Sequence, residues 1–284
     1  ISTPEQLAGL AKMINFVETP SEDPAKDPDA DENAKEPTVK EPWRGCIVLD
    51  NDIVFGSDMS SVSEFPWEPI GNAEGFIGAL LFDGKNHTIY GLNLASKKDS
   101  VFGLFGFVDN GFFKNVTIAN YGASFGADSN AYVSSFYGAA LVGFTSSSII
   151  HNVHTRGGLI KFEALPRKMV DERVVGVNHV TIGNVVGRMD GLIDSCSNAS
   201  DIEVHFDSDQ TIGGVVGFIT SPGTTVLVDS VSYCSNTGKI VSKSQSTNQS
   251  SEAGGIVGFA KAFVVHCSNF GSVSIDYGDA GGIS

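Results

Sequence analysis

The chain has 284 residues, 41% of them hydrophobic and 18% charged, with a mean hydropathy of +0.04, a balance that supports a sizeable core and excludes global disorder. Eighteen Lys and Arg stand against 33 Asp and Glu, and the resulting charge of -15 opposes a phosphate backbone or an anionic bilayer, so neither nucleic acid nor a lipid surface is expected as a partner. No run of 18 apolar residues exists for membrane insertion, and the opening Ile1-Ser2-Thr3-Pro4-Glu5 reads as a trimmed or mature segment.

The first element in chain order is helical. Thr3 takes the N-cap position, Pro4 the first helical position and Gln6 the capping-box position, while Leu7, Leu10, Ala11 and Ile14 recur at helical spacing. An amphipathic helix from Pro4 to Phe16 is predicted, serving as a cap within residues 1–17. Residues 18–42 break the composition, with nine acids, three lysines and five of the ten prolines, and predict an acidic mobile loop. From Trp43 onward β-favouring stretches return.

An internal repeat dominates the remainder. Phe102-Gly103-Leu104-Phe105-Gly106-Phe107, Gly138-Ala139-Ala140-Leu141-Val142-Gly143-Phe144, Ile182-Gly183-Asn184-Val185-Val186-Gly187-Arg188, Ile212-Gly213-Gly214-Val215-Val216-Gly217-Phe218 and Ala253-Gly254-Gly255-Ile256-Val257-Gly258-Phe259 are versions of one phrase, and a sixth begins at Ala280. The closing glycines fall at 106, 143, 187, 217 and 258, so the copies differ in length. A second phrase follows in each copy and places Val116, Val153, Cys196, Cys234 and Cys267 at one position, and Asn198, Asn236 and Asn269 at another. A polar insertion, Lys243 to Glu252, separates two copies. Each copy reads as three short strands between Gly, Asn or Ser corners, too short to bury its apolar side alone. The fold class expected is therefore all-β, a parallel β-helix or β-solenoid of about three strands per coil with an N-terminal capping α-helix, and residues 1–284 are one domain with coils over 43–284. Because Ser284 interrupts the sixth copy, continuation of the native chain or coverage of the last coil by a partner is expected.

With Gly103-Leu104-Phe105-Gly106, its Val-Gly variants, Trp67-Glu68-Pro69-Ile70-Gly71-Asn72 and Phe82-Asp83-Gly84-Lys85-Asn86-His87-Thr88-Ile89, the chain resembles the GLUG-motif repeat proteins. That resemblance implies a right-handed β-helix and an adhesin-like bacterial protein that is secreted or held at the cell surface.

Interchange with Val116 and Val153 makes Cys196, Cys234 and Cys267 buried free thiols rather than half-disulfides, with Cys46 in a separate early strand. Asp50, Asp52, Asp83, Asp190, Asp194 and Asp229 offer carboxylates, but none forms an adjacent pair, and turn formation is the simpler role. Arg44, Arg156, Arg167, Arg173 and Arg188 are scattered. His87, His151, His154, His179, His205 and His266 show no ligand spacing, and the Asp27-Pro28-Asp29-Ala30-Asp31 run lacks the later calcium-loop ligands. Gly122-Ala123-Ser124-Phe125-Gly126 matches a nucleophile pattern without the strand-to-helix context it requires. Phe107, Phe144, Phe218 and Phe259 recur after the closing glycine, where a buried ring ladder is the plain expectation, but Arg188 at the same place indicates a corner that could stack on sugar rings. No catalytic residue, cofactor or metal ligand is assigned. Two functions remain: a non-enzymatic surface protein binding host or matrix glycans or proteins, and a polysaccharide-cleaving lyase or hydrolase.

Overall fold

The computed structural model describes residues 1–15, 41–72, 76–94, 100–126, 132–163, 168–170, 173–220, 229–244 and 251–283. The acidic loop over 18–40, the centre of the polar insertion (245–250) and Ser284 lie outside these residues.

One helix, α1 (Pro4–Asn15), precedes all the strands. Its start follows from local chemistry: the Gln6 amide donates to Thr3 Oγ1 at 3.3 Å, and the Gln6 side chain accepts from the Ser2 amide at 2.7 Å. Leu7, Ala11 and Ile14 are buried in the same apolar core as Ile47 and Leu49. Asn15 completes the docking. Its side chain donates to the Pro69 carbonyl at 2.8 Å and accepts from the Gly71 amide at 2.9 Å, which fixes the helix end against the β region.

Successive copies of the repeat stack with parallel strand pairing. Phe105–Asp109 pairs with the first part of Val142–Glu163, that strand with Val186–Asp194, that with Val216–Thr220, and that with Val257–Lys261. The register holds despite unequal copy lengths, so Phe107, Phe144, Arg188, Phe218 and Phe259 are consecutive partners. A second group of strands carries the residues just before each glycine phrase: Val101–Phe102, Tyr132–Gly138, Arg173–Gly183, Asp209–Gly213, Ser251–Gly254 and Asp279–Gly281.

This organisation corrects the expected right-handed parallel β-helix of about three short strands per coil. The strands gather into a 17-stranded and a 7-stranded sheet, not three separate faces, and Lys168–Val170 adds an antiparallel pairing with Arg173–Gly183. Single elements run through what the sequence suggested were several strands: Val142–Glu163 is 22 residues long and Ile77–Tyr90 is 14. The physical reason lies at the corners. Asn115, Asn152, Ser195, Tyr233 and His266 each take a positive φ between 51° and 56° at equivalent places, which redirects the chain with one residue and leaves the pairing on either side intact.

Between the sheets the core is nearly dry. Phe82, Phe105, Phe113, Phe136, Phe162 and Phe206 form an inner chain of edge-on and tilted contacts at 5.0–5.6 Å in two runs, Phe82–Phe105–Phe113 and Phe136–Phe162–Phe206. The asparagine column is satisfied in full: Thr155 donates to Asn198 at 2.7 Å, Asn198 to Asn236 at 2.7 Å and Asn236 to Asn269 at 2.8 Å. Each amide also closes its own corner, Asn236 for instance donating to the Gly238 carbonyl at 3.0 Å and accepting its amide at 3.1 Å. The closing glycines have a steric duty. A Cβ on Gly217 would stand 2.5 Å from the Gly187 carbonyl oxygen, and one on Gly258 would stand 2.6 Å from that of Gly217. Among the described residues all four cysteines are free, with Cys196 and Cys234 buried, Cys267 partly buried, and Cys46 exposed in Trp43–Val48.

Candidate functional site: an aromatic stripe and its end cavity

The repeated Phe after each closing glycine is not part of the core. Along these strands it alternates with fully or nearly buried neighbours, Val108 after Phe107, Met189 after Arg188 and Ile219 after Phe218, so Phe107, Phe144, Arg188, Phe218 and Phe259 all stand half-buried on the outer face. The expected buried ladder is thereby an outer one. In-register pairing lines these side chains up along the direction of stacking.

Contacts within the stripe are continuous. Phe107 and Phe144 have ring centroids 5.8 Å apart, and Phe218 and Phe259 stack at 4.9 Å with a 10° interplanar angle. Arg188 fills the gap between them, its guanidinium 5.6 Å from the Phe144 centroid and 5.2 Å from that of Phe218. Tyr137, from the other sheet, packs edge-on against Phe144 at 5.4 Å, lies 5.7 Å from the guanidinium and accepts its hydrogen bond at 3.1 Å. Lys261 sits 5.8 Å from the Phe259 centroid. Neither cation makes an ion pair among the described residues. Ring faces hold both.

His179, on the strand that pairs with the one carrying Tyr137, feels the Arg188 charge. Burial lowers its pKa below the ordinary imidazole value, with Asp209 opposing and Arg188 reinforcing that shift. Its Nε2 is 3.3 Å from Thr211 Oγ1.

At the Phe107 end the stripe borders an open cavity of about 430 Å³, lined by Asn72, Phe76, Phe107, Asp109, Phe144 and Ser146 together with Val108. Asp109 accepts from Ser146 Oγ at 2.6 Å and from Asn110 Nδ2 at 2.9 Å. Two more carboxylates follow nearby: Asp190 accepts from the Ser147 amide at 2.8 Å, and Asp229 from the Gly191 amide at 2.6 Å. Burial raises the Asp190 pKa, the Ser147 amide opposes this, and the charges of Asp229 and Asp109 add to the rise.

The other candidates disperse. Asp52 lies 3.1 Å from His87, Asp194 3.0 Å from His151, and Asp83 3.2 Å from Lys114, each a pairing between neighbouring copies. Asp50 meets Lys85 at 3.5 Å, and His205 meets Glu163 at 3.5 Å. His154 bonds Ser197 and Asn152, and His266 stacks on Tyr233 at 4.9 Å. Ser124 is exposed within strand Gly122–Gly126, which pairs in parallel with Leu159–Glu163 and contains no sharp turn. Among the described residues no group of three or more His, Cys, Asp or Glu could hold a metal ion. The Asp27–Asp31 run and Arg167 lie outside the described residues, as does the Arg173 side chain.

Sequence reasoning missed Tyr137, Asp109, Asn72, Phe76 and Ser146. Tyr137 and Phe144 are seven residues apart on different sheets, and only the pairing of both strands with their equivalents reveals the meeting. A weak signal was present in the apolar-Gly ends of the strands that precede each phrase.

No family model matches the chain, and no curated protein matches it. The GLUG resemblance therefore rests on the motif residues alone. A solved Bacteroides ovatus structure, named a "putative immunoglobulin A1 protease", is similar in fold with a TM-score of 0.51 over 100% of this chain and 83% of that one, at 12% identity. At that identity the likeness extends to the fold only.

Proposed function

We propose that this is a non-enzymatic, secreted or cell-surface protein that binds host or matrix glycans along the aromatic stripe. The observation that carries the reading is the unbroken, half-exposed register of Phe107, Phe144, Arg188, Phe218 and Phe259. Side chains repeated at the strand spacing of about 4.8 Å, four rings and the Arg188 guanidinium, present a strip of ring edges suited to weak contacts with successive sugars of a polymer that add along its length. Arg188 and Lys261 supply hydrogen-bond donors beside the rings.

A second reading draws on the grouping of Tyr137, His179 and Arg188. A neutral imidazole beside a guanidinium is the minimum set for a lyase acting on a uronate polymer, the guanidinium neutralising the carboxylate while a base removes the adjacent proton. The guanidinium here is engaged by rings and the Tyr137 hydroxyl, which favours binding.

Retention on a glycan array followed by product analysis separates the two. Retention without cleavage, weakened in Phe218→Ala and Phe259→Ala, supports the binding reading. Release of unsaturated uronate that disappears in Arg188→Ala overturns it.

A further inference from the structure

The cavity at the Phe107 end of the stripe has a chemistry distinct from the strip itself. Phe76, which is 46% exposed, joins Phe107 and Phe144 around it, so three rings are presented to one space. Its polar lining is rich in acceptors. Asp109 carries a carboxylate, and the Ser146 hydroxyl proton is already committed to that carboxylate, leaving its oxygen lone pairs for a ligand. Among the described residues no Lys, Arg or His lines it. The whole chain carries -15.

The molecule provides its own precedent for what such rings attract. Farther along the same ladder Arg188 and Lys261 rest on ring faces at 5.2–5.8 Å with no carboxylate partner among the described residues. Phe144 separates Arg188 from the cavity. On the cavity side the rings have no protein cation among the described residues, and the Asp109 carboxylate stands beside them. Acceptor-rich walls and negative potential reject carboxylate, sulfate and phosphate ligands, and they discriminate between a cation and a neutral group of equal shape.

We propose that this cavity binds a small organic ammonium ion, its alkylated head group enclosed by Phe76, Phe107 and Phe144 and neutralised by Asp109. The volume of about 430 Å³ leaves room for a tail of a few heavy atoms beyond the head group. The site shares Phe107 and Phe144 with the stripe, but its preference for a cation comes from Asp109 and does not rest on glycan binding.

The test compares choline with 3,3-dimethylbutan-1-ol, which has the same shape without the charge, by calorimetric titration of the full chain. Saturable choline binding is expected, with the alcohol about tenfold weaker or more. Phe76→Ala and Asp109→Asn, at an exposed and a partly exposed position, should each lower choline affinity at least about fivefold with unchanged circular dichroism. Lys239→Ala, at an exposed position outside the cavity, should leave choline binding as it is. Equal binding of choline and the alcohol would reduce the cavity to a plain apolar pocket and overturn the proposal. So would an absence of saturable choline binding, or displacement of choline by a neutral methyl hexoside that binds more tightly. If one substitution unfolds the chain, the other and the alcohol comparison still decide. Glycan retention with no choline binding would sink this site alone, and choline binding with no glycan retention would sink only the polymer reading.

Discussion

At the scale of single residues, stability concentrates in groups that have partners on two neighbouring copies. Asn236, itself fully buried, accepts from Asn198 and Gly238 and donates to Asn269 and Gly238. Asn236→Ala should destabilise the fold by about 3 kcal/mol in urea titration, because it strands buried donors and acceptors on three segments. His154 and His179 set a pH dependence. Both have pKa values lowered chiefly by burial, so the unfolded chain binds more protons than the folded one once the pH drops below the ordinary imidazole value of about 6.5. The melting temperature should therefore fall as pH is lowered from 7 to 5, and His154→Gln combined with His179→Gln should flatten that slope in calorimetry. Much of this was legible in the sequence. The asparagine column showed in its spacing, and Asn115 and Asn152 are natural at left-handed corners. Tyr233 and His266 in the same conformation were not foreseeable, since the stacking register rather than their own preference places them there.

At the scale of elements, the helix was readable because cap, proline and apolar spacing agree, and the structure places it at Pro4–Asn15. The division into strands was not. Corners that keep the pairing intact look in sequence like strand breaks, so three short strands were expected where Val142–Glu163 runs as one. The stripe itself lay in view as a recurring Phe, yet its outward side depended on alternation against Val108, Met189 and Ile219, and the cavity residues come from unrelated stretches of chain. Thiol reactivity reports on these element positions. Cys46 in its exposed strand should react with Ellman's reagent at once, whereas Cys196 and Cys234 should resist until the protein unfolds, when all four thiols appear. Immediate reaction of both buried thiols would refute the packing described.

At the scale of the whole molecule, the closing glycines let the copies approach backbone to backbone. Gly217→Ala would place a methyl carbon against the Gly187 carbonyl and should cost at least about 2 kcal/mol, measured against a neutral surface substitution such as Lys239→Ala. The copies pair in parallel, each with its neighbours in the stack, and this has a mechanical corollary. Pulled apart along the direction of stacking, the protein should yield by peeling, since detaching one copy breaks its own ladders and leaves the next ones whole. In a force-extension trace the copies of 30 to 44 residues between closing glycines would come away as steps of roughly 10–15 nm each, given about 3.4 Å of contour per residue. The chain would then lengthen in increments under tension instead of letting go at once.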